Sequence, residues 1–146
     1  MADFAGAALL LFFVLCAAGL VLSSVFHGKY AKLVIAWFGT LCSIDLMVAA
    51  SLRLAAGTDV HFNLWTLNGF GTLSLHLDTL SSVFLFAAGL VYLSSCVFAP
   101  DYISQYFRDR YPAGRYAVLH FALMASVVLI LTAGDVLTFL ISWECM

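Results

Sequence analysis

The chain has 146 residues, 64% of them hydrophobic and 10% charged, with Lys+Arg 6 against Asp+Glu 8. Soluble domains run to about 45–50% apolar and about 25% charged, so the composition, with a mean hydropathy of +1.07, excludes an ordinary soluble domain. It leaves no basic surface for nucleic acid and describes an integral membrane protein.

The first apolar run, Phe4 to Phe26, is long enough to cross a bilayer and follows only Asp3, so it lacks the positive n-region of a signal peptide. His27-Gly28-Lys29-Tyr30-Ala31-Lys32 predicts a short polar turn, and a second span follows from Leu33 to about Ala56. In the next segment, Val60–Leu67 and Phe70–Leu77 flank Asn68-Gly69, a dipeptide suited to a two-residue type I′ hairpin turn. Pairing across it sets Val60 opposite Leu77, Phe62 opposite Leu75 and Leu64 opposite Leu73, with His61–His76 and Asn63–Ser74 on the polar face. A four-residue loop, Asn68 to Gly71, keeps those faces with a shifted register. The ribbon is expected on the outer membrane surface or against a neighbouring subunit.

Asp78 is placed as the N-cap of a third span, Thr79 to Ala99. Pro100 to Arg115 reads as a polar connection, Tyr116 to about Ala133 as a fourth span, and Gly134-Asp135 as the opening of a fifth that reaches Met146. The expected fold is therefore all-α and integral to the membrane. It forms a single domain of four full transmembrane helices (about 4–26, 33–56, 79–99 and 116–133) plus the start of a fifth (135–146), with a short outer-surface β-hairpin (60–77).

Basic residues are retained on the cytoplasmic side. Lys29 and Lys32 lie in the first connection and Arg108, Arg110 and Arg115 in the third, against Arg53 alone on the other side. The N-terminus and residues 57–78 are thus predicted outside, and connections 27–32 and 100–115 cytoplasmic.

Cys16, Cys42, Cys96 and Cys145 each sit alone in apolar stretches and read as small hydrophobes, with no disulfide framework. No phosphate loop, dinucleotide fingerprint or nucleophile elbow occurs, so no cofactor is expected. His61 and His76 face one another across the hairpin, but two further ligands are lacking and no metal is expected. Nothing in the sequence forms a catalytic pair; any redox chemistry belongs to partner subunits.

An ionisable group at mid-bilayer costs about 2.5–3.5 kcal/mol to insert and marks a functional site by default. Asp45 lies roughly 16–18 Å from either end of its span and Glu144 roughly 13–14 Å below the outer surface, at about 1.5 Å per residue. Asp45 also admits a structural reading, paired with a polar group or protonated; Arg53 is about two turns away. His120, about a turn inside the cytoplasmic end of the fourth span, is the third candidate, and reads more readily as solvated than as a relay.

Asp78-Thr79-Leu80-Ser81, Tyr111-Pro112-Ala113-Gly114-Arg115-Tyr116 and Asp135…Phe139…Trp143-Glu144 together resemble the antiporter-like proton-pumping subunits of complex I, Mrp-type cation/proton antiporters and membrane-bound hydrogenases. The Pro-Ala-Gly-Arg-Tyr piece is most like the formate-hydrogenlyase-type branch. The resemblance spans the chain, loosely over its first 77 residues, and implies a proton- or cation/proton-translocating subunit of a redox-driven respiratory or hydrogenase-type complex. Other membrane subunits and the lipid bilayer would be its partners, in a prokaryotic inner membrane. Glu144 matches the family's fifth-helix glutamate, which pairs with a lysine two helices on. No Lys follows Lys32 here, so the expectation is an N-terminal fragment, a split subunit completed by another chain, or an incomplete reading of a longer gene. The alternative is a non-conducting tetraspan scaffold or assembly subunit of such a complex.

Overall fold

Runs that are apolar on every side form helices whose backbone groups bond internally, the arrangement hydrocarbon demands. The structure, a computed structural model, describes residues 2–26, 29–67, 71–106 and 113–146. Helix α1 is Ala2–Val25, α2 is Lys29–Val34, and a π-helical turn at Ile35–Gly39 joins α2 to α3, Thr40–Ala56. Gly57 adopts φ 67° and its N–H caps the Arg53 carbonyl at 3.0 Å, a left-handed end that favours glycine. Strands β1 (Val60–Leu67) and β2 (Gly71–Leu77) pair antiparallel; α4 (Thr79–Tyr106), α5 (Ala113–Leu131) and α6 (Val136–Glu144) follow.

Among the described residues, four helical stretches are long and apolar enough to cross a membrane: Phe4–Val25, Tyr30–Ala56, Thr79–Gln105 and Ala113–Leu131. In the bundle α1 packs between α3 and α5, and α4 lies on the other side of α3. The core holds Leu9 and Phe12 of α1, Ile35 and Leu46, Leu85 of α4, and Phe121, Met124 and Val128 of α5. Outward faces are apolar too, with Val14, Trp37, Val91, Phe98 and Leu119 all exposed. A soluble domain keeps few such side chains together on its surface.

Three boundaries differ from the sequence expectation. The polar stretch Lys29 to Lys32 is helical rather than a turn. Pro100 does not end the third span: α4 continues through it to Tyr106. Proline removes one backbone donor, and Ser104 Oγ donates to the Pro100 carbonyl at 2.7 Å while accepting from Lys32 Nζ at 2.9 Å. That contact also puts the beginning of α2 and the end of α4 at the same end of the bundle. Thirdly, α5 starts at Ala113 rather than Tyr116.

The hairpin has the expected register from Val60↔Leu77 to Asn63↔Ser74. A β-bulge then intervenes, so Trp65, not Leu64, stands opposite Leu73. One extra residue on β1 shifts the rest of the ladder. The Asn68-Gly69 turn lies outside the described residues, as do His27-Gly28 and the Arg108-Asp109-Arg110 cluster. The ribbon is folded onto the chain's own helices: Val60, Leu75 and Leu77 are buried, and the Phe62 ring sits beside Gly6 of α1. On the other edge β2 bonds the α5–α6 link, through His76 N to Thr132 O at 2.7 Å and Gly134 N to Ser74 O at 2.8 Å.

Candidate functional site

The three sequence candidates sit on three different helices. Asp45 to Ala56 is roughly 16 Å of helix, His120 to Leu131 roughly 16 Å, and Glu144 back to Val136 roughly 12 Å, at about 1.5 Å per residue. Each of those helix ends leads to the hairpin end of the bundle. The antiparallel topology thus hangs all three groups at a similar depth beneath it. Among the described residues, no hydrogen bond or ion pair joins one to another.

Asp45 is half-buried on α3, and its Oδ2 is buried without a hydrogen-bond partner among the described residues. A buried carboxylate oxygen left unpaired is costly, and native structures rarely tolerate it without a reason.

His120 is not solvated. It is 8% exposed, because it falls on the inward stripe of α5 formed by Ala117, Phe121, Met124 and Val128. Its Nε2 lies 3.2 Å from Cys96 Sγ; the Tyr116 ring stacks at 6.0 Å and the Tyr92 ring meets it edge-on at 5.8 Å. Cys96 in turn packs against Gly39, the last residue of the π-turn, where any side chain would collide with its sulfur. The π-turn is a feature no sequence period announced, and such turns cluster at functional places in helices.

Glu144 ends α6 and is exposed, as is Trp143. Both are helical rather than in a loop. Their surroundings on α6 are apolar, with Val136, Phe139, Leu140 and Ile141 exposed beside them. Among the described residues no cation pairs with Glu144.

At the hairpin end a second polar cluster forms. Arg53, 4% exposed, turns away from Asp45: its Nη1 donates to Thr79 Oγ1 at 2.7 Å and its Nη2 is ion-paired with Asp59 Oδ1. The other Asp59 oxygen lies 3.7 Å from His76 Nε2, and the His76 and His61 rings stack at 4.0 Å and 10°. One ligand atom from each of Asp59, His61 and His76 lies within 4.8 Å of the others. The sequence reading had the two histidines but missed Asp59. The signal was there, since an extended chain puts residues two apart on one face, and Asp59 precedes His61 by that step.

Two further carboxylates act as caps. Asp78 Oδ1 accepts from Ser81 N at 2.7 Å, as expected, and that backbone bond holds its carboxyl below the ordinary range. Asp135 was not singled out as a cap, yet it caps α6. Its Oδ1 accepts from Thr138 N at 2.8 Å; its Oδ2 accepts from Thr138 Oγ1 at 2.8 Å and from Ser74 N and Ser74 Oγ, each at 2.7 Å. Desolvation pushes this carboxyl up, but the bonds from Thr138 and Ser74 outweigh it and bring it down to about 2. No protein-family model and no curated protein matches this chain.

Proposed function

We propose that the chain is a proton- or cation/proton-translocating membrane subunit of a redox-driven respiratory or hydrogenase-type complex, seated in a prokaryotic energy-transducing membrane. The observation that carries this reading is the buried oxygen of Asp45, without a hydrogen-bond partner among the described residues, in the middle of a span-length helix. An unsatisfied buried polar group calls for an explanation, and an ionisable residue inside a membrane span is by default a candidate for ion or proton passage. His120 lies at a similar depth, buried beside Cys96 and two tyrosine rings, as a second proton acceptor.

Glu144 enters through the likeness of Trp143-Glu144 to the fifth-helix motif of antiporter-like subunits. In this reading α6 begins a fifth span whose apolar exposed face receives a helix of a neighbouring subunit. That helix brings the cation that pairs with Glu144. The N-terminus and hairpin face outward and the Lys32–Ser104 end faces the cytoplasm, following the basic residues. Electron transfer belongs to partner subunits.

The test is proton pumping by the assembled complex in inverted vesicles. Glu144→Gln should cut it at least about tenfold, roughly 1.4 kcal/mol, with assembly and redox turnover retained; Asp45→Asn should lower it as well. Wild-type pumping in both variants would remove the reading. The unlinked arrangement of the three groups favours one other reading, a non-conducting scaffold. Its mark would be pumping untouched by Glu144→Gln but assembly lost when Asn68-Gly69 is disrupted.

A further inference from the structure

The cluster at the hairpin end has the composition of a metal site, and its parts come from three places: Asp59 from the loop after α3, His61 from β1 and His76 from β2. Two imidazoles and a carboxylate form an N2O donor set, the kind that first-row transition cations such as Zn2+ take as three protein ligands plus water. Three details of the geometry go beyond composition. His76 Nε2 is shielded from solvent and has no hydrogen-bond partner among the described residues, while lying 3.7 Å from Asp59 Oδ2. The free oxygen of Asp59 faces that nitrogen because Arg53 holds the opposite oxygen and is itself held by Thr79. His61 is exposed on the same face, so its ring can swing to close the site without disturbing the core.

We propose that Asp59, His61 and His76 bind one divalent transition cation of the Zn2+ class. Metal bonds to nitrogen and oxygen are about 2.0–2.2 Å, so donor atoms around one ion stand about 3.2–3.6 Å apart in a tetrahedral site. The present spacing, within 4.8 Å, needs only side-chain rotation to reach that. Arg53 has two opposed effects. Its charge weakens attraction for a cation, while its bond to Asp59 orients the ligating carboxylate, as outer-shell partners of metal ligands do. The bound ion would cross-link β1, β2 and the loop leaving α3, and so clamp the hairpin over the end of the bundle.

The site is independent of ion translocation and is tested separately. Full-length chain in detergent micelles, stripped with chelator, is titrated with Zn2+ by calorimetry and with Co2+ by visible absorption. The expected result is one equivalent bound, a tetrahedral-type Co2+ spectrum, and a rise in thermal midpoint on adding Zn2+. His61→Ala and Asp59→Asn should each weaken binding at least about tenfold. His61 is exposed, so its removal leaves the fold intact; His76→Ala is read only alongside a circular-dichroism check. Zn2+ binding unchanged in His61→Ala, or no saturable binding to the native chain, would overturn the proposal.

Discussion

Asp135 accepts four hydrogen bonds from two residues that are far apart in sequence, Ser74 and Thr138. An N-cap alone contributes about 0.5–2 kcal/mol, and here the same carboxylate also ties β2 to the α5–α6 link. Asp135→Ala should therefore cost about 1–3 kcal/mol, read as a lowered thermal midpoint in micelles. The pH dependence has a definite sign. The folded carboxyl sits at about 2 against an ordinary 3.8, so its contribution is complete above the ordinary value and disappears as pH falls toward about 2. Wild-type stability should decline on acidification through that window, and Asp135→Asn should lack that component; identical acid profiles would refute the assignment. An Asp before an apolar run is the local signal such a cap leaves, though it was not read as one; Ser74 as its second partner was invisible, because no local rule brings those positions together. The solvated reading of His120 fails for a related reason: its burial is set by which face α5 turns toward the other helices, and that face carries Ala117, Phe121, Met124 and Val128.

Close helix approach rests on small residues, since in lipid no hydrophobic force drives helices together and packing must do so. At Gly19 a Cβ would fall 2.7 Å from the Phe121 ring, which lies flush against α1. Gly19→Val should cost about 1–3 kcal/mol through overpacking, with Phe121→Leu restoring part of the loss in the double variant. Equal destabilisation of the single and the double variant would count against this contact. The helices themselves were plain from apolar length alone. The π-turn, the passage of α4 through Pro100 and the bulge near Leu64 were not, because each is a local deviation that no apolar run or period announces. Ser104 and Lys32 bond beside Pro100, and the close fit of Gly39 against Cys96 accompanies the π-turn.

The whole bundle buries Cys16, Cys42 and Cys96 while leaving Cys145 exposed. N-ethylmaleimide should accordingly add once to the native protein in micelles and four times after denaturation, counted by intact mass; two or more rapid native adducts would show a looser bundle. Cysteine reactivity follows access and thiolate formation, and burial suppresses both. Large apolar side chains are exposed on all four long helices, so periodicity gave little guide to which face packs on which neighbour.

Membrane-length spans, the hairpin's faces from Val60 to Asn63 and the residues able to carry charge were all determined by the sequence itself, because bilayer thickness and the two-residue strand period act on local runs. Only the tertiary structure decided which charges meet. It turned Arg53 toward Asp59 rather than Asp45, joined Asp59 to the two histidines, placed His120 against Cys96, and left one oxygen of Asp45 without a partner among the described residues. Those outcomes depend on how helices rotate and approach one another, which contacts distant in sequence govern.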